Sequence, residues 1–171
     1  YGHRVNVVAL PDICYDIRYS PDVKFIALAL GRTVEIRDAQ TLVVAGKWDE
    51  KGGCTSLSFH PTKPWLACGL WRAKGAVDIR QWPSGELVRT IETDTDGVDY
   101  DGTPSTQESD EHVQGCAISP CGRYLAAYTI NGRSVTVFEI DTGRQVTEIP
   151  SHGGAVSSIR FSPDGKFLLS N

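Results

Sequence analysis

Four histidines, five cysteines and one crowded run of acids are the residues of this chain with chemistry beyond packing. The histidines are His3, His60, His112 and His152. Nucleophilic hydrolysis needs a nucleophile, a base and an orienting acid brought together. None of the four stands in a G-x-S-x-G or comparable nucleophile motif. Cys116 and Cys121 are separated by four residues, and no second Cys or His pair follows at zinc-ligand spacing. Neither a phosphate-cradling G-x-x-x-x-G-K-[ST] nor a dinucleotide fingerprint is present. The sequence therefore predicts no enzyme, no metal site and no cofactor.

The acids stand in TDTDGVDYDGTPSTQESDEH (93–112). Asp94, Asp96, Asp99, Asp101, Glu108, Asp110 and Glu111 make seven acids with no Lys or Arg among them. The whole chain carries −4, so subtracting these seven leaves +3 on the remainder. Three readings stay open: a solvated loop, a docking element for a basic partner, and a calcium loop. An EF-hand loop needs Gly at its sixth position, and counting from Asp94 that place is Asp99. Ser105, Thr106 and Ser109 stand beside acids and are candidates for phosphorylation.

The elements that must position these residues follow from an internal repeat. CYDIRYSPDVKFIAL (14–28), CTSLSFHPTKPWLAC (54–68), VQGCAISPCGRYLAA (113–127) and VSSIRFSPDGKFLLS (156–170) align without adjustment. Their prolines are Pro21, Pro61, Pro120 and Pro163, spaced by 40, 59 and 43 residues. One insertion, the acidic stretch, accounts for the long interval. Two residues before each Pro stand Tyr19, Phe59, Ile118 and Phe161, and four before it Ile17, Leu57, Cys116 and Ile159. Period-2 alternation puts these two columns on one strand face. Seven before it stand Cys14, Cys54, Val113 and Val156, on the opposite parity, so a bend or the strand start must intervene. Pro ends the strand because it cannot donate to a ladder. An aromatic opens the second strand four residues later: Phe25, Trp65, Tyr124 and Phe167.

Third strands read TVEIRD (33–38), AVDIRQW (76–82) and SVTVFEID (134–141). Fourth strands read LVVAGKW (42–48), LVRTIE (87–92) and QVTEIP (145–150). Four short strands per repeat of this length describe an all-β chain of four-stranded antiparallel blades. SHGGAVSSIRFSPDGKFLLS (151–170) resembles the opening of a WD repeat, with His152 at the family's Gly-His histidine. IRDAQT (36–41) and VFEIDTGR (137–144) resemble the strand that ends in Trp-Asp. The resemblance implies a β-propeller. Arg37 or Phe138 occupies the usual Trp place, and LGR (30–32), WRAKG (71–75) and INGR (130–133) lack the Asp of the turn before the third strand. The family's buried Asp–His–Ser–Trp network is thus incomplete, and blade packing is expected to rest on apolar contact.

The expected organisation is one partial propeller over 1–171. Residues 1–12, with VNVVAL (5–10), form the outer strand of a preceding blade. Blades follow at 13–53, 54–112 and 113–154, and an incomplete blade at 155–171. The alternative is a small four-bladed ring closed by the first strand.

The resemblance implies a non-catalytic protein-interaction scaffold inside a larger assembly. Its rivals are an enzymatic propeller of lactonase-like or quinoprotein-like type, and a sensor propeller appended to an NTPase. Candidate partner contacts on the loops are Lys63, Trp71, Arg72, Lys74, Arg123, Asn131 and Arg133, none with an evident core duty. Asp94, Asp96, Asp99 and Asp101 join them if the insertion docks a partner. Trp71 can anchor a partner or pack over the neighbouring blade. His60 replaces Ser20, Ser119 and Ser162, which points to a turn role. The expected partners are other proteins. The acidic net charge argues against nucleic acid, and no apolar run approaches the roughly 20 residues of a membrane helix. An odd number of cysteines in a chain of this size favours reduced thiols and an intracellular setting, cytoplasmic or nuclear.

Overall fold

The computed structural model describes residues 9–72, 75–93, 112–129, 134–150 and 155–171. Strands β1 (Cys14–Tyr19), β2 (Phe25–Leu30), β3 (Thr33–Asp38) and β4 (Val44–Asp49) form one antiparallel sheet in that order. β5 (Cys54–Phe59), β6 (Trp65–Leu70), β7 (Ala76–Gln81) and β8 (Glu86–Glu92) form the second. β9 (Val113–Ile118), β10 (Tyr124–Thr129), β11 (Ser134–Glu139) and β12 (Gln145–Pro150) form the third. β13 (Ile159–Phe161) and β14 (Leu168–Ser170) pair as a fourth. The strand expected over 5–10 lies largely outside the described residues.

Each first turn is closed by the residue before the proline. Ser20 accepts the amide of Phe25, Ser119 that of Tyr124, and Ser162 that of Phe167, each at 3.0 Å. The parity switch before the proline is a β-bulge. The register slips between Cys14 and Asp16 and between Cys54 and Ser56. The third sheet slips at the same place, where Thr129 pairs with Val113 and Tyr128 with Gly115. A bulge lets two residues of one strand oppose one of its partner. In the second and third sheets that slip places Cys54 and Val113 of the −7 column in the core together with Leu57 and Cys116 of the −4 column.

The core lies between sheets. Ala27, Ala29, Val34 and Ile36 of the first blade meet Cys54, Leu57, Leu66 and Cys68 of the second. Ala67, Val77 and Ile79 meet Val113, Cys116, Leu125 and Phe138. Tyr128, Val135 and Val137 meet Val156 and Ile159. Full burial of a Leu or Ile is worth about 1.5–3 kcal/mol, so these columns hold the blades together.

One expectation is corrected: blade packing is not apolar alone. Glu50, 2% exposed in the β4–β5 linker, accepts both of its contacts from Arg80 at 2.8 Å. It also accepts the indole N–H of Trp48 at 2.9 Å. Arg80 pairs with Asp78 at 2.9 Å, and Asp78 accepts the Thr90 hydroxyl at 2.7 Å. The physical reason is the Arg in the family's Trp place. Its planar fork matches a carboxylate two-pronged, and the linker supplies one. In the first blade Arg37 binds Glu35 at 2.6 Å. In the third the place is apolar, with Phe138 buried.

Candidate docking surface at the channel mouth

The inner strands β1, β5, β9 and β13 stand side by side and line a common channel. Their joints are hydrogen bonds from side chain to the next blade's backbone. Asp16 accepts the Leu57 amide at 2.8 Å, and Ser56 accepts the Cys116 amide at 2.9 Å. The equivalent residue in the third blade is Gly115, which has no side chain to offer. The Tyr128 ring fills its place, where a Cβ on Gly115 would lie 2.3 Å from Tyr128 Cε1. The Tyr128 hydroxyl then donates to the Ser157 carbonyl at 2.6 Å, restoring the joint. Burial pushes the Tyr128 hydroxyl up in pKa.

A cavity of about 520 Å³ opens along this channel. Tyr15, Thr55, Gln114 and Ser157 line it, as do Asp16, Ser56, Gly115 and Ser158. These are the columns six and five before the repeat prolines. Their place between apolar columns is a signal that the sequence carries for the channel lining. Arg18 and Arg160 also line the cavity, and Arg18 is neutralised by Asp16 at 3.2 Å.

Three rings gather at one mouth. Trp71 stacks on His112 with centroids 4.6 Å apart and planes at 24°. Tyr15 meets Trp71 edge-on at 6.2 Å and 89°. His112 is buried, with its Nε2 3.1 Å from the Gln114 amide oxygen. Trp71 thus does pack over the neighbouring blade, yet it remains 43% exposed and Tyr15 45%. Arg72 abuts Gly52 beside it. Lys74, Asn131, Arg133, Asp94, Asp96, Asp99, Asp101 and His152 lie outside the described residues.

The remaining two candidates sit elsewhere. Lys63 and Arg123 belong to the turns after the inner strands, at the opposite mouth from Trp71. Both are held in ion pairs at the surface. Lys63 reaches Asp141 of the third blade at 2.7 Å and lies 4.0 Å above the Trp65 ring. Arg123 binds Glu139 at 2.9 Å. Each cation meets an acid of a different element, Asp141 in the turn after β11 and Glu139 at the end of β11, which the separation in sequence conceals. Pro21, Pro61, Pro120 and Pro163 each begin the turn after an inner strand. His60 is buried in the second such turn and accepts the amides of Thr62 and Lys63 at 3.1 and 2.9 Å through Nδ1. Burial holds its pKa below the usual histidine value.

The five cysteines are unpaired thiols. Burial pushes Cys116 up to about 12 and raises Cys68 strongly. The exposed Cys121 is lowered by its Ser119 contact. Among the described residues, no three His, Cys, Asp or Glu side chains gather in metal-binding geometry.

Comparison with known proteins agrees with this geometry. The family model for the WD domain, G-beta repeat, matches residues 143–171. An uncharacterized WD repeat-containing protein of Synechocystis is 41% identical over 166 residues, covering 96% of this chain and 42% of that protein. The chain is a WD-repeat-like β-propeller. The nuclear distribution protein PAC1 of Coccidioides posadasii is 27% identical over 157 residues, covering 70% of this propeller chain and 33% of that protein. The propeller chain thus spans less than half the length of these relatives. Among solved structures, a hydrazine synthase of Kuenenia stuttgartiensis superposes with a TM-score of 0.75 at 19% identity. It covers 99% of this chain and 45% of its own, and shares the fold.

Proposed function

We propose that this propeller is a non-catalytic protein-interaction platform in a larger assembly, and that it docks partners at the mouth carrying Trp71. The observation that carries the reading is the pair Tyr15 and Trp71. Both rings are nearly half exposed although each is braced by a neighbour. Large rings held rigid at a surface are the residues that dominate binding energy in protein interfaces. The cations at the opposite mouth are already engaged by Asp141 and Glu139. An intracellular setting is part of the proposal, supported by five unpaired thiols.

Site-specific photo-crosslinking in cells tests it. A crosslinker at Lys51, in the β4–β5 linker next to Gly52, which abuts Trp71, is expected to capture defined protein partners, and Trp71→Ala to abolish their capture. Capture only from positions 63 or 123 would move the docking surface to the opposite mouth. No protein adduct from any of the three would end the platform reading.

A further inference from the structure

The channel has a second cavity, of about 410 Å³, toward the mouth opposite Trp71. Tyr19, Phe59 and Phe161 line it together with Pro21, Pro61 and Pro120. Its wall is thus largely rings, whereas Thr55, Ser56, Gln114 and Ser157 line the first cavity. Arg18, Cys116 and Arg160 line both, so they stand where the polar and the apolar parts of the channel meet. The two arginines belong to the column three before the repeat prolines, which reads Arg18, Ser58, Ala117 and Arg160. Strands β1 and β13 supply guanidinium groups in that column. Strands β5 and β9 supply small side chains there, which leave space between the strands open.

The charges at this junction do not balance. Asp16 is the one carboxylate among the described residues that line either cavity. It is held by Arg18 at 3.2 Å and by the Leu57 amide at 2.8 Å. Arg18 also donates its Nε to the Leu57 carbonyl at 3.2 Å. Arg160 donates Nη1 to the Ile159 carbonyl of its own strand at 2.8 Å. It has no carboxylate partner among the described residues. A guanidinium carries five N–H donors in a planar fork, so one bond to a carbonyl leaves it far from saturated. The acids of the surrounding turns line neither cavity and have cations of their own. Asp22 lies 3.8 Å from Lys24, Asp164 3.7 Å from Lys166 and Asp141 2.7 Å from Lys63. Two guanidinium groups less one carboxylate leave one positive charge at the junction, which favours a monoanion over phosphate.

We propose that the channel binds a small monocarboxylate with an apolar tail. The carboxylate meets Arg160, whose fork matches its two oxygens, with Arg18 at the same opening. The tail lies in the second cavity among Tyr19, Phe59 and Phe161. An apolar recess of a few hundred cubic ångströms with one charged group at its end is the usual form of a small-molecule site. A neutral ligand forfeits the arginines, and one without a tail forfeits the rings. The site is separate from the partner surface at Trp71 and stands without it.

Isothermal titration calorimetry of the full chain with pentanoate, octanoate and phenylacetate tests this. At least one of the three is expected to bind with a Kd below about 1 mM. The primary amide of the best binder, acetate and inorganic phosphate should each bind at least about tenfold more weakly. Affinity for the best binder should fall with added salt. It should drop at least about tenfold on Arg160→Gln and at least about threefold on Tyr19→Ala. Both side chains are exposed, and an unchanged melting temperature certifies the fold of each variant. No binding of any tailed carboxylate by about 10 mM overturns the proposal. So does an amide, acetate or phosphate that binds as tightly as the best tailed carboxylate. Unchanged affinity in either folded variant overturns it as well, because the ligand then sits elsewhere.

Discussion

Gly115 and Tyr128 face each other in the third blade at the place where Ser56 faces Gly69 in the second. Each pair contains one residue without a side chain, because a joint to the next blade leaves room for one group only. Gly115→Ser alone should therefore push against the Tyr128 ring and cost about 1–3 kcal/mol. Tyr128→Gly alone should open a void and lose the bond to Ser157. The double change rebuilds the arrangement of the second blade. Its cost should fall short of the sum by about 0.5–3 kcal/mol, a coupling that denaturant titration of the four proteins measures. Simple additivity would show that the two joints are not equivalent.

His60 makes a second case at the same scale. Its Nδ1 accepts two amides, so the ring must be neutral there. Burial is the main cause that lowers its pKa in the fold. The unfolded chain therefore takes up the proton first, and the stability this ring contributes is present above its unfolded value of about 6.5. It is lost as pH falls from there toward the depressed folded value. His60→Ser restores the residue of the other three repeats. The variant should lose less stability than the wild type between neutral and mildly acidic pH, as followed by thermal melts. An identical pH profile for both proteins would remove the role assigned to this ring.

At the scale of strands and linkers, the β4–β5 linker and β7 are joined by the Glu50–Arg80 pair. Arg80→Met leaves the Glu50 carboxylate buried without its guanidinium, which should cost about 3–5 kcal/mol. Arg37→Met should cost clearly less. Its partner Glu35 keeps Lys47 at 3.4 Å, and Arg37 holds no linker. Equal losses in chemical denaturation would mean that the linker contact contributes nothing of its own. This network shows where the sequence stops being readable. Leu57, Cys116 and Ile159 are buried in the columns that alternation predicts, because strand parity is local information. The edges of β3 and of the outer strand β12 agree with the sequence for the same reason. Glu50 and Arg80 lie 30 residues apart and meet only once two blades are stacked. The ring cluster at the mouth was half legible. Trp71 stood out by type, whereas His112 ends an insertion with no repeat register, and Tyr15 hid in a polar column.

Across the whole molecule, the same column is treated differently at one end. Leu57, Cys116 and Ile159 are 0%, 3% and 1% exposed because a preceding blade covers each of them. Ile17, their equivalent in the first blade, is 50% exposed, with Tyr19 at 59% beside it. On the last sheet Phe167 and Leu169 are 66% and 62% exposed. Leu169 stands where Ala27, Ala67 and Ala126 are fully covered by the next blade. The two bare faces are therefore the two halves of one repeated blade junction. Contiguous apolar surface of this kind drives association. A head-to-tail contact pairs unlike faces, so it can continue from copy to copy. The 171-residue chain on its own is expected to self-associate with rising concentration in sedimentation velocity, and Ile17→Lys/Tyr19→Lys to restore the monomer. Phe167→Lys/Leu169→Lys should do the same from the other side, and mixing the two variants should still yield no more than heterodimers. Large assemblies in that mixture would show that association runs through some other surface.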